Sequence, residues 1–192
     1  MARWQPDARG RLLHAAIELF GEQGYDATTA AQIAERAGLT KTTLFRHFAD
    51  KREILFQGQD MLVGLATEGV RDAPRDSAPF ALVRAGVLAL STLHPAESRE
   101  TGRLVDEILA ASSELQERAT FKRAAITAAL YTAVVERTGD PRQAGVLADA
   151  GIRAYYDGFA AWVEGSEDGP LAEVVEHELA AYERMLAPVA GS

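Results

Sequence analysis

The chain contains no cysteine. Disulfides, thiolate metal centres and thiol redox chemistry are therefore excluded. It contains no asparagine either, which removes every N-glycosylation acceptor. Lysine occurs only at positions 41, 51 and 122, and arginine supplies the other cationic side chains. No apolar run approaches the roughly 20 residues that span a bilayer as a helix. Residues 1–11 carry Arg3, Asp7, Arg9 and Arg11 around Pro6 and Gly10, with no apolar core of the secretory kind. These absences predict a soluble, cytoplasmic chain.

What is present is enough to fold. With 192 residues, 47% of them apolar, the chain suits one compact unit or two small ones sharing a helix. The net charge of −8 is unevenly spread. Residues 1–56 hold eight basic and seven acidic side chains, a net of +1; the remainder holds twelve against twenty-one, a net of −9. Attraction to phosphate requires a local basic patch, not a basic protein, so the acidic total does not exclude nucleic acid.

Strand-like alternation is absent, and Ala, Leu, Glu and Arg dominate, which predicts an all-α fold of nine helices. The first runs from about Asp7 to Gln23, with Leu13, Ala16, Ile17 and Phe20 forming one apolar stripe. The second begins at Thr29, where Thr29 and Gln32 have capping-box spacing. The third begins at the N-cap Thr40, with Leu39 and Leu44 at staple positions, and ends near Phe48. The fourth is expected from Asp50, with Glu53 completing a second capping box, and Gly58, Gly64 and Gly69 weaken it. A polar stretch, Arg71 to Pro79, then leads to helices over Phe80–Leu93, Ser98–Ala111 and Glu114–Thr138. Asp140 and Pro141 open an eighth helix to about Val163. After a turn over Gly165–Gly169, a ninth runs from about Pro170 to Leu186. The expected division is a helix-turn-helix domain over residues 1–56 and a helical domain over residues 57–192.

Two short helices joined by a Gly-Leu-Thr turn form the helix-turn-helix pattern, whose second helix enters the DNA major groove. At about 100° per residue, Leu44 and Phe48 point into the domain. Thr42 and Arg46 point the opposite way, with Thr43 and Phe45 on the flanks and Lys41 and His47 bordering the buried side. Arginine can donate two bonds to guanine, and threonine methyls can meet a thymine methyl. Thr40, Lys41 and Lys51 suit phosphate contacts. An exposed Phe45 calls for something to cover it.

These segments carry a resemblance. Residues 15–20 (AAIELF), Gly24-Tyr25, Thr28-Thr29, residues 33–48 (IAERAGLTKTTLFRHF) and residues 51–55 (KREIL) closely resemble the DNA-binding domain of the TetR family of bacterial regulators. The likeness covers roughly residues 9–56, and the nine-helix outline fits the same family. It implies a homodimer on a palindromic double-stranded DNA operator, usually as a repressor, and a small-molecule effector bound among the C-terminal helices. By family position, Thr40, Lys41, Thr42, Thr43, Phe45, Arg46, His47 and Lys51 become the DNA contacts, and Thr29, at the start of the second helix with its exposed amides, is a further candidate. One departure stands out: the family most often has tyrosine where this chain has Phe45, so a hydroxyl contact to phosphate is replaced by an apolar one.

For the C-terminal part, a mainly apolar effector is expected. Its candidate pocket residues are Leu104, Ile108, Phe121, Tyr131, Tyr155 and Tyr156, each with core packing as its competing role. The resemblance tips the stripes of the last two helices, Leu147, Gly151, Phe159, Trp162, Val175, Leu179 and Tyr182, toward a four-helix dimer interface. Effector binding between the fifth and eighth helices is expected to move the fourth and so reset the spacing of the two reading helices.

Two other classes were weighed. His177-Glu178 begins a helical zinc-protease pattern, but position 181 is alanine, and no Walker loop, dinucleotide fingerprint or nucleophile elbow occurs. His14, His47, His94 and His177 lack metal-ligand spacing. No catalytic residue, metal or cofactor is therefore expected. A ligand-binding helical protein without specific DNA binding is the alternative, against which the intact outward face of the third helix argues.

Overall fold

The computed structural model describes residues 7–165 and 169–190, the backbone alone for the last three. Among the described residues the fold is all-α, with nine α-helices and two single 3-10 turns. The helices are α1 (Ala8–Gln23), α2 (Ala30–Arg36), α3 (Lys41–His47), α4 (Gln59–Asp72), α5 (Pro79–Ser91), α6 (Arg99–Ala110), α7 (Ser113–Thr138), α8 (Pro141–Glu164) and α9 (Leu171–Ala190). No helix among them is long and apolar enough to cross a membrane. The turn expected over Gly165–Gly169 lies outside the described residues at positions 166–168.

Two compact units divide the chain. The first comprises residues 1–57 and 103–120, the second residues 58–102 and 121–192. Helices α6 and α7 each contribute to both.

The first unit is built on the apolar stripe of α1. Leu12, Ala16 and Phe20 are buried with Ile33 of α2, Leu44 of α3 and Ile54. Ile108 of α6 and Leu115 of α7 belong to the same cluster. The continuous fourth helix expected from Asp50 is instead a 3-10 turn, Arg52–Ile54, followed by α4 from Gln59. Asp50 does accept a bond from the Glu53 amide at 3.0 Å. The Glu53 carboxylate, however, is taken by Arg118 at 2.8 and 3.0 Å rather than returning to Asp50, so the box is half-made. Gly58 then adopts φ 87°, a left-handed conformation that breaks the helical path.

The second unit packs α4, α5, α8, α9 and the second half of α7 around Val83, Val87, Leu130, Trp162 and Val175. Gly69 of α4 has a reason the pattern did not show. At Gly69 an added methyl would lie 2.6 Å from the Ala85 carbonyl oxygen, and at Gly86 one would lie 2.7 Å from that of Ala66. The backbones of α4 and α5 thus touch where these two glycines meet.

The expected dimer stripe is corrected here. Leu147, Gly151, Trp162, Val175 and Leu179 are buried within this unit of a single chain, and Phe159 and Tyr182 are partly buried against the same core. Their apolar area is already removed from water, so they do not form an outward face. Among the described side chains, the large apolar ones that α8 and α9 leave exposed are Val146 and Met185.

Two glycine substitutions separate tight from open positions. Gly151→Ala would drive a methyl into the Val83 side chain, and unfolding in urea should show a loss of about 1–3 kcal/mol. Gly64→Ala meets nothing within 4 Å, and the same measurement should show a gain of about 0.5–1 kcal/mol from helix propensity.

Candidate nucleic-acid interface

The geometry of the reading helix starts with its caps. The Thr29 hydroxyl accepts from the Gln32 amide at 3.2 Å, and the Gln32 side chain accepts from the Thr29 amide at 2.8 Å. This reciprocal box starts α2. The chain reverses through Gly38 at φ 65°, closed by a bond from the Leu39 amide to the Ala34 carbonyl at 2.8 Å. Thr40 then caps α3, accepting from the Thr43 amide at 3.1 Å. Leu44 is wholly buried and fixes the rotation of the helix.

That rotation decides what faces outward. Lys41, Thr42, Phe45 and Arg46 are exposed, and Thr43 is partly so. Phe45 keeps 46% of its surface in water, with the Lys41 ammonium 5.6 Å from its ring centroid. Among the described residues, neither Thr42 nor Arg46 engages its side chain in a hydrogen bond or ion pair. Their donors therefore remain available to a partner.

Four of the candidate contacts carry structural duties. Thr29 and Thr40 are exposed, yet their hydroxyls serve the caps. His47 is half-buried, and its Nε2 is buried without a hydrogen-bond partner, so the ring turns partly inward. The Lys51 ammonium donates to the carbonyls of Tyr25 at 2.6 Å and Thr28 at 2.8 Å and lies 4.0 Å from the Tyr25 ring centroid. Its charge is held at the turn between α1 and α2.

Several supports escaped the sequence reading. Arg9 donates to the His47 carbonyl at 3.4 Å and stacks 5.2 Å from Phe48, while Arg11 donates to the Ala37 carbonyl. The turn and the far end of the two-helix motif are thereby tied to the first turns of α1. Tyr25 donates to Glu114 at 2.9 Å. Burial, followed by that carboxylate, raises the phenol pKa and keeps it protonated. Arg118 holds Glu53 in a two-pronged pair and lowers its carboxyl pKa. Only the spacing of Arg9 and Arg11 ahead of the α1 stripe offered a local signal; Arg118 and Glu53 are 65 residues apart.

The candidate pocket residues are not assembled together. Leu104 and Ile108 pack in the first unit. Tyr155 and Tyr156 meet edge-on at 5.3 Å in the second, with Tyr131 against the same core. Phe121 is 64% exposed.

Residues 12–57 match the model of the family described as bacterial regulatory proteins, tetR family. That segment of the chain is similar to the DNA-binding segment of this family. Over 69 residues it is 41% identical to the HTH-type transcriptional activator FasR of Mycolicibacterium smegmatis, covering 36% of this chain and 32% of that one. Over 47 residues it is 45% identical to the HTH-type transcriptional repressor KstR2 of Mycobacterium tuberculosis, covering 24% of each. The chain thus spans a third or less of the length of these relatives. The fold extends further: a TetR-like transcriptional regulator from Rhodococcus sp. RHA1 superposes with a TM-score of 0.59 at 17% identity, over 95% of this chain and 98% of that one. The relatives matched over this segment are named HTH-type transcriptional regulators, and this chain carries the matched helix-turn-helix on α2 and α3.

Two substitutions test the supports. Lys51→Met should lower the unfolding free energy by about 1–3 kcal/mol, because two turn carbonyls lose a charged donor. Glu53→Gln should destabilise at neutral pH. A carboxyl whose pKa is lowered on folding stabilises above its unfolded pKa, and that stabilisation fades as pH falls through the folded value. The stability gap between wild type and Glu53→Gln should accordingly close in acid, below the ordinary glutamate range, when thermal unfolding is followed against pH.

Proposed function

We propose that this regulator acts as a homodimer on a palindromic operator, most simply as a repressor, and that a mainly apolar small molecule releases it. The observation that carries the reading is the outward face of α3, where Thr42, Phe45 and Arg46 are exposed and Thr42 and Arg46 are unengaged among the described residues. A solvated helix has no use for an exposed phenylalanine beside an unpaired arginine; a major groove offers thymine methyls to the first and guanine acceptors to the second. Arg46, Thr42 and Thr43 are assigned to bases and Lys41 to phosphate. Phe45 is assigned an apolar contact to sugar or methyl. Repression needs only occupancy of the operator, whereas activation also needs a surface for the transcription machinery.

In this reading residues 1–56 bind DNA, and residues 57–192 supply the effector site and the dimer contact. The protein works in the cytoplasm and catalyses no reaction. Coupling has a material route. The chain passes between units at residues 57–58, 102–103 and 120–121, the last two inside α6 and α7. Those helices supply Ile108, Leu115 and Arg118 to the first unit. An effector that repacks their other ends disturbs the core on which α3 rests. A coupling of about 1–3 kcal/mol changes operator affinity roughly 5- to 150-fold.

Selection of bound sites from random DNA tests the reading. It should return an inverted repeat whose half-sites lie about one helical turn apart or a multiple of it. Affinity for that site should fall steeply with salt. Arg46→Ala should cost about 1–3 kcal/mol and relax selection at one base position per half-site. Recovery of no enriched sequence, or equal binding by wild type and Arg46→Ala, would remove the assignment.

A further inference from the structure

Three polar side chains of the second unit lie along one helix seam with no hydrogen bond to a described residue, and one of them, Ser91, has its polar atom fully buried. The Ser91 hydroxyl oxygen on α5 is buried and has no hydrogen-bond partner. Tyr155 on α8 is 5% exposed, and its hydroxyl bonds no described residue. The His94 imidazole, just past α5, likewise bonds none; it stands edge-on to Phe159 at 5.3 Å, with the Trp162 ring at 6.3 Å.

Their common location follows from two fixed contacts between α5 and α8. Gly151 faces Val83 and Val87, and Phe159 faces His94. The two segments therefore run in the same direction. Ser91 is four residues beyond Val87, and Tyr155 is four beyond Gly151. Each is one helical turn past the first contact and short of the second, on the same seam.

Buried polar groups in native proteins are nearly always satisfied, and Ser91 is an exception that calls for a missing partner, with two unbonded polar groups beside it on the seam. Helical serines ordinarily return their hydroxyl to a carbonyl one turn back, and Ser91 does not. The donors are also uncharged. Burial, then the neighbouring Tyr156, raises the Tyr155 phenol pKa; burial, then the Lys122 charge, lowers that of His94. Arg123, the other cation on this stretch of α7, lies across the Tyr156 ring at 3.9 Å. A buried anion would need a charged partner. Phe159 and Trp162 supply the apolar wall.

We propose that Ser91, His94 and Tyr155 form the polar anchor of an effector site, and that they read a neutral carbonyl or hydroxyl oxygen on an otherwise apolar small molecule. The proposal rests on the reading of the second unit as effector-binding, and it adds the chemical class and the residues that select it. Ser91 and His94 were not among the pocket residues expected from sequence.

The test uses the full-length chain and a Ser91→Ala/Tyr155→Phe double variant. Without ligand, the variant should unfold at an unchanged or higher urea concentration, because neither hydroxyl bonds a described residue. A clear loss of stability would show that the hydroxyls already hold internal water and would overturn the proposal. Calorimetric titration then uses a panel of small neutral ketones, esters and alcohols, each with its hydrocarbon and carboxylate counterpart. Wild type should bind members of the neutral set, and the variant should bind those same members about tenfold more weakly or worse. Binding of none, equal binding by the variant, or tighter binding of the carboxylates would overturn the anchor. Adding a bound compound to the complex with selected DNA separates the two readings. If it binds through the anchor yet leaves DNA affinity unchanged, release fails and the anchor stands. If it releases wild type and variant at the same concentration, the anchor fails and release stands.

Discussion

A helix of seven residues does not hold its shape in water, because nucleation costs more than so few backbone bonds return. The face proposed to read DNA sits on such a helix, α3. Its existence therefore depends on the burial of Leu44 in the core built by α1, and on the Thr40 cap that satisfies the first turn. Everything outward on α3 inherits its direction from that one inward side chain. The supports radiate from the same point: Arg9 and Arg11 tie the motif to α1, and Lys51 closes the turn before α2.

The same dependence extends to distant parts of the chain. Ile108 and Leu115 complete the core under the motif, and Glu53 and Tyr25 find their partners on the first turns of α7. The N-terminal segment thus folds against residues 103–120. Because α6 and α7 also enter the second unit, the elements that complete the DNA-reading core are continuous with those beside the Ser91–Tyr155 seam. A regulator needs such continuity, since an effector can shift an equilibrium only through groups it touches differently in the two states.

Much of this was legible in the sequence because it is local. Apolar periodicity placed the helices, and the Thr29–Gln32 and Thr40 caps fixed where α2 and α3 begin. Residues three and four apart gave the outward face of α3. The rest is non-local. Capping-box spacing at Asp50 and Glu53 was present, but Arg118 competes for the carboxylate, and Gly58 breaks the path that a box would have started. The stripes of α8 and α9 announced burial without naming the partner surface; the two helices pack on each other and on α5 within one chain, so residues expected between subunits are core. Lys51 looked like a phosphate clamp because nothing nearby in sequence shows two carbonyls waiting for it. Gly69 of α4 looked like a weakness and is a point of close approach.

The central claim is that the face carrying Thr42 and Arg46 lies against DNA bases. Photo-crosslinking measures this directly: a benzoylphenylalanine is placed at position 42, 46, or 35 in turn, and the chain is irradiated on its selected duplex. Position 35 is exposed on α2 and serves as the reference. The account predicts crosslinks to bases within the enriched half-site from positions 42 and 46, and none there from position 35. Retained DNA binding with no base crosslink from 42 or 46, or with the strongest one from 35, would contradict it.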